Sequence, residues 1–379
     1  MAEIGVAAGG RVRVLGGFAA FGAFWGAWGA ALPAVQSHAG VDDGQLGVAL
    51  LCIGAGALLS MRLAGTLVDR WGAAALPITM AAFGAAAALP GLATSTVGLS
   101  ATLLALGAGS GAVDVAINAE GTRSETATGR PILSLAHGTF SGCVVAGSLA
   151  TGGLRAAGAG AELVLGLVGG LVVAVAIGLW WAPAAGDGSI VPRRASLRHL
   201  PRILVVLGGL CALAFFVENA WQSWGAVHLE SDLDASPALG SLAPALFAGA
   251  AAASRLGGHA LVGRFDEIAI MRAGATAGAA GTLLAATAPV AALALVGIVI
   301  AGAGISICAP ILFSLAGRNA DEAVRGAAVS IVTTIAYLGF LIGPAVVGLL
   351  ADATTLRAAL AAAAGIALLL AALAGRARP

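Results

Sequence analysis

The sequence predicts an all-α membrane protein of twelve transmembrane helices arranged as two six-helix, pseudo-symmetric bundles. Three observations predict it: an apolar composition poor in charge, twelve stretches of spanning length, and matched residues in the two halves. Hydrophobic residues make up 59% of the chain and charged residues 10%, against roughly 45–50% and about 25% in soluble proteins. A soluble domain with so few charges could not cover its own surface. A bilayer is an apolar solvent in which this composition is at ease.

Spanning length sets the elements. A membrane helix needs ~20 mainly apolar residues at about 1.5 Å rise each. Cutting at charged or Pro/Gly-rich breaks gives 12–35, 45–67, 74–92, 96–119, 131–154 and 161–183 in the first half. The second half gives 203–228, 238–262, 268–288, 290–316, 326–350 and 355–374. Domains follow at 1–183 and 202–379, joined by a linker over 184–201 that carries Arg193, Arg194 and Arg198 and no apolar run. Met1 to Arg13 is too short and too weakly apolar for a cleaved signal peptide, so the first apolar run is expected to be retained.

Arginine positions orient the spans. With the N-terminus inside, the inward segments hold Arg11, Arg13, Arg62, Arg70, Arg123, Arg130, Arg193, Arg194, Arg198, Arg202, Arg255, Arg264, Arg272, Arg318, Arg325, Arg376 and Arg378. Only Arg155 and Arg357 fall outside, where Asp42, Asp43, Glu230, Asp232 and Asp234 gather. This positive-inside asymmetry predicts cytoplasmic termini and an even span count. All 19 basic residues are Arg, and with the heavy use of Ala and Gly this points to a GC-rich bacterial source and an inner (cytoplasmic) membrane. A net charge of +1, without a long basic run, gives no reason to expect a nucleic-acid partner.

The halves match each other. Trp25-Gly-Ala-Trp28-Gly29-Ala30 in the first span parallels Trp221-Gln-Ser-Trp224-Gly225-Ala226 in the seventh, at an offset of 196 residues. Arg62-Leu-Ala-Gly65 parallels Arg255-Leu-Gly-Gly258 at an offset of 193. Two matches on corresponding spans argue for a six-plus-six duplication. Parallel repeats of this kind are a transporter architecture, with the site expected between the halves. Gly22-x-x-x-Gly26 and Gly339-x-x-x-Gly343-Pro344 are expected to allow close helix crossings.

After the second span comes Gly65-Thr-Leu-Val-Asp69-Arg70-Trp-Gly72. It resembles the G-x-x-x-D-R-x-G loop motif of the major facilitator superfamily, with Ala73 and Ala74 in place of the basic pair that often follows. The resemblance extends over essentially the whole chain. It implies alternating access of two halves and a cytoplasmic latch in which Asp69 caps the start of the eleventh helix, beside Arg325. An acid at a helix N-terminus is stabilised by the helix dipole. An ordinary loop with a solvated Asp-Arg pair would read the same way.

Ionised residues inside spans are costly and usually face a cavity. In span four Ser110, Asp114 and Asn118 recur every four residues and share a face; Asp114 sits six residues before Glu120, roughly 9 Å inside the expected boundary. The stretch Gly107 to Asn118 resembles the fucose/proton symporter branch, which has an acid, three residues and an Asn after a Gly-rich run. That resemblance implies that Asp114 binds and releases the coupling proton. This chain has Ala119 where the branch has Pro, and an Asp where it has Glu. In span five His137, with Ser134 and Ser141 on its face, is a candidate proton relay or a His bonded to a neighbouring helix. In span seven Glu218 lies ~22 Å in, with Gln222 one turn on and Asn219, Trp221 and Trp224 close by. A carboxylate, amides and tryptophans, with Trp25 and Trp28 from the first half, suit a polar solute with apolar ring faces, although Trp also serves as an interface belt.

These features predict a monomeric secondary transporter that couples a small polar, sugar-like solute to protons. Export by antiport is the alternative, against which the span-five stretch Gly142 to Ser148 lacks the Gly-Pro motif of the family's antiporters. No G-x-x-x-x-G-K-[ST] loop is present, so ATP drive is not expected. The five histidines and four cysteines are dispersed without metal or nucleophile spacing, so no enzyme activity, metal or cofactor is expected.

Overall fold

The computed structural model describes residues 2–184, 202–261, 264–320 and 325–378. The linker expected over 184–201 lies outside them apart from its first residue. The first half contains α1 (Ala2–Ala39), α2 (Asp43–Trp71), α3 (Ala75–Ala88), α4 (Thr96–Thr128), α5 (Leu133–Ala156) and α6 (Ala161–Trp181). The second contains α7 (Arg202–Val227), α8 (Pro237–Gly240), α9 (Leu242–Leu261), α10 (Glu267–Thr287), α11 (Ala291–Ile305), α12 (Cys308–Arg318), α13 (Arg325–Ala353) and α14 (Leu356–Leu373). Together the described residues supply twelve helical segments long and apolar enough to cross a membrane. Three of these are composite: the end of α2 with α3, α8 with α9, and α11 with α12.

Polar side chains start the helices. Asp42 Oδ1 accepts from the Gln45 amide at 2.8 Å while Gln45 Oε1 accepts from the Asp42 amide at 3.3 Å, a reciprocal cap on α2. Ser95, Asp266 and Thr355 cap α4, α10 and α14 one way, each side chain accepting from the amide three residues on. Glu125 Oε1 accepts from the Ile132 and Leu133 amides at 2.7 and 2.9 Å, satisfying donors that the first turn of α5 leaves open.

The chain groups into two compact units, Met1–Val41 with Val48–Pro192 and Asp42–Gly47 with Arg193–Pro379. Each unit contains tight crossings, and one of them is made by corresponding spans of the two halves. In the first, α1 lies against α5, and a methyl group on Gly22 or Gly26 would run into the Phe140 or Val144 carbonyl. In the second, α7 lies against α13, and a methyl group on Gly339 would meet the Ala212 carbonyl. Glycine is required here because the backbones themselves are in contact. The first and fifth spans of each half thus make the same kind of crossing. Around it pack the edge-to-face rings of Phe21, Phe24 and Phe83 in the first unit, with Phe24 and Phe83 centroids 4.8 Å apart.

Three expectations are corrected. Span four does not stop at 119: α4 runs to Thr128 and ends where Gly129 takes φ +64°, because Glu120 is buried rather than solvated. The Gly65 to Arg70 motif is not a loop. It forms the last turns of α2, and the chain turns only at Gly72 with φ +54°. Span ten is broken at Ser306, between α11 and α12. Pro310 removes the amide that would bond to the Ser306 carbonyl.

Candidate functional site

The two halves each carry an acid with an amide four residues on. In α4, Asn118 Nδ2 donates to Asp114 Oδ1 at 3.2 Å and to the Asp114 carbonyl at 2.8 Å. In α7, Gln222 Nε2 donates to Glu218 Oε1 at 3.2 Å. Residues four apart on a helix face each other, so this geometry follows from local sequence. Asp114 is eighteen residues from the start of α4 and fourteen from its end, ~27 and ~21 Å. The helix thus continues past Glu120, which had marked the expected boundary ~9 Å from Asp114. Glu218 is sixteen residues into α7, ~24 Å. Asp114 and Asn118 are half-buried, Ser110 is buried and Glu218 is close to fully buried.

Glu218 has a partner that sequence reasoning missed. Arg255 of α9 places Nη2 at 3.0 Å from Oε1 and 3.1 Å from Oε2. Arg255 had been assigned to the cytoplasmic end of its span as an orienting charge. An intramembrane acid in α7 and an Arg inside the next spanning helix are themselves the signal that could have paired them. The neighbouring Ser254 Oγ donates to the Ala303 carbonyl at 2.5 Å, tying α9 to α11 just before its break. Ser306 Oγ, at the break, is buried without a hydrogen-bond partner among the described residues.

A second ion cluster also went unnoticed. Arg13 Nε donates to Glu120 Oε1 and Arg123 Nη2 to Glu120 Oε2, both at 2.7 Å. The rest of the Arg13 guanidinium bonds the carbonyls of Leu179 and Ala182, at 2.6 and 3.3 Å, and of Ala73. All three side chains are buried. The cluster ties α1 to α4, to the end of α6 and to the turn before α3. In the second unit, His228 is fully buried, with Nδ1 2.7 Å from Asp232 Oδ2 and Nε2 3.1 Å from the Ala285 carbonyl.

Several expected solute contacts turn inward. Trp221 and Trp224 are wholly buried, with indole nitrogens donating to Thr282 Oγ1 at 3.1 Å and to the Pro344 carbonyl at 3.0 Å. Trp28 is buried against Phe24, with ring centroids 6.3 Å apart. The Asn219 amide nitrogen donates to the Phe340 carbonyl, and its oxygen accepts from Ser223 Oγ at 3.3 Å. All four side chains are buried in their bundles, and in Trp221 and Trp224 the single ring donor is already engaged. Trp25 is the exception, half-buried with its ring edge-on to Phe21 and Phe24. His137 is exposed, its ring edge-on to Phe18 at 4.9 Å. Asp69 and Arg70 are exposed at the end of α2 and Gly65 is half-buried. Arg325, the first residue of α13, donates from Nε to the Gly317 carbonyl at 3.1 Å.

The sequence matches the Major Facilitator Superfamily description over residues 13–322 and again over 206–379. The chain belongs to the Major Facilitator Superfamily. It is similar to an uncharacterized MFS-type transporter of Yersinia pestis, 33% identical over 342 residues that cover 88% of this chain and 86% of the relative. It is also similar to the membrane protein MosC of Rhizobium meliloti, 28% identical over 337 residues covering 88% and 82%. Among solved structures, the nucleoside transporter NupG superposes with a TM-score of 0.79 at 14% identity, over 97% of this chain and 98% of that one. A D-xylose-proton symporter gives 0.71 at 15%, over 95% and 96%. At these identities the superpositions show the fold. This superfamily member is a multi-pass transporter of small molecules, not an enzyme.

Proposed function

We propose that this facilitator is a secondary active transporter that moves a small polar, sugar-like solute by alternating access, coupled to protons. The observation that carries the reading is the acid–amide pair Asp114–Asn118, mid-helix in a spanning segment and half-buried. An ionisable group at that depth is costly unless it faces a cavity and has a task. Asp114 takes and releases the coupling proton, Glu218 is the second acid, and His137 lies on the relay. Ser110, Asn118, Trp25 and Gln222 offer the hydroxyl, amides and ring face that a sugar-like solute requires. The Gly107 to Asn118 stretch supports a place in the fucose/proton symporter-related branch. The same fold serves a nucleoside transporter and a D-xylose-proton symporter, which supports cargo of that size and polarity.

In this reading the protein works as a monomer in a bacterial inner membrane, with both termini and the 184–201 linker in the cytoplasm. Gly65, Asp69 and Arg70 form the latch with Arg325. The test is uptake into proteoliposomes under an imposed pH gradient, across sugars, nucleosides and amino acids. Asp114→Asn is expected to abolish gradient-driven accumulation of the solute while retaining counterflow. Intact accumulation in that variant overturns the proton site.

A further inference from the structure

The Arg255–Glu218 pair is incompletely made, and its geometry says what would complete it. Glu218 contacts a single guanidinium nitrogen, Nη2, through both carboxylate oxygens at 3.0 and 3.1 Å. Nη1 and Nε carry no hydrogen bond among the described residues. The Arg255 side chain is 37% exposed, against 11% for Glu218. A guanidinium within a spanning segment is strongly disfavoured against lipid, so its open edge faces water-bearing space.

Guanidinium grips a carboxylate best through two parallel N–H bonds, using either Nε with Nη2 or Nη1 with Nη2. Both forks include Nη2, which Glu218 holds. Nη2 carries two N–H groups and both Glu218 oxygens converge on it, so a second carboxylate taking either fork must share Nη2 with Glu218 or displace it. Gln222, already donating to Glu218 Oε1 at 3.2 Å, supplies the displaced side chain with a donor. Ser254, bonded to the Ala303 carbonyl, holds the helix that carries Arg255 in place while this exchange occurs.

We propose that Arg255 is the docking point for a carboxylate borne by the transported solute, and that Glu218 is its internal substitute between loads. The cargo class is then a sugar acid or a similar hydroxylated carboxylate, not a neutral sugar. This deepens the solute-transport reading above and rests on it.

The test uses the purified full chain in nanodiscs, with thermal unfolding followed in D-glucuronate and D-galacturonate and in the neutral D-glucose and D-galactose. The uronates are expected to raise Tm at concentrations where the neutral sugars do not. Arg255→Gln should remove the shift, and Arg255→Lys, which keeps the charge but loses the fork, should weaken it. Glu218→Gln should tighten uronate binding by about tenfold, since no charge-assisted bond has to be displaced. That gain cannot arise from misfolding. Equal shifts with neutral sugars, no shift with either uronate, or a shift that survives Arg255→Gln overturns the proposal. Gradient-driven uptake of a neutral sugar, with uronates ignored, would overturn it and leave the transport reading standing. Uronate binding lost in Arg255→Gln, without gradient-driven uptake of any solute, would uphold the docking point and overturn the transport reading.

Discussion

Two Arg–Glu pairs inside spanning helices look alike in sequence and differ in every structural respect that matters. Arg13 and Glu120 are 2% and 1% exposed, and Arg123 closes the other carboxylate oxygen. Every nitrogen of the Arg13 guanidinium has an acceptor. Arg255 and Glu218 are 37% and 11% exposed, share one nitrogen, and leave the remaining Arg255 donors open. The first pair is dry and saturated, so it has no capacity to exchange partners. The second is exposed on one side and can. Burial and completeness of hydrogen bonding, not the presence of an ion pair, separate a structural lock from a binding group.

That contrast can be broken by experiment. Glu120→Gln leaves two buried guanidinium groups without a counter-charge and should cost on the order of 3–5 kcal/mol. It is expected to abolish accumulation of folded protein, read by size-exclusion profile and thermal unfolding, whereas Glu218→Gln is expected to fold. A Glu120→Gln protein as stable as the parent would sink the lock. Arg13→Lys keeps the charge but cannot reach the Leu179, Ala182 and Ala73 carbonyls and Glu120 together, so a loss of roughly 2–3 kcal/mol is expected. The same exchange at Arg255 should cost under ~1 kcal/mol, because that side chain is partly solvated; comparing the two melting curves checks the ordering.

Smaller effects sharpen the second site. Gln222→Leu removes one hydrogen bond to the Glu218 carboxylate, about 1 kcal/mol, and should alter solute affinity more than stability. Trp221→Phe loses the bond to Thr282 and part of a wholly buried ring packed edge-on to His228, on the order of 1–3 kcal/mol, and transport should persist in proteoliposomes. Loss of transport in stably folded Trp221→Phe would return that ring to the solute.

Much of this was legible in the chain itself. Asp114 with Asn118 and Glu218 with Gln222 follow from helical spacing, and the structure shows both bonds. The crossings at Gly26 and Gly339 follow from small residues at a four-residue repeat. Other features were read in the wrong context. Glu120 marked a boundary because it is charged, yet it lies buried with two arginines. Trp221 and Trp224 were offered to a solute on the strength of an acid and an amide nearby. Nothing in a local pattern tells which way an indole turns.

Sequence alone therefore determined the spans, the repeat and the acid–amide pairs, because hydropathy and helical periodicity are written within one window of residues. Only tertiary structure decided which charge meets which. Arg13 and Glu120 are separated by 107 positions and Arg255 and Glu218 by 37, and each meeting depends on which helix faces pack together. A charge near a span end reads the same in sequence whether it reaches for water or turns inward. Packing alone leaves Arg13 saturated and Arg255 open.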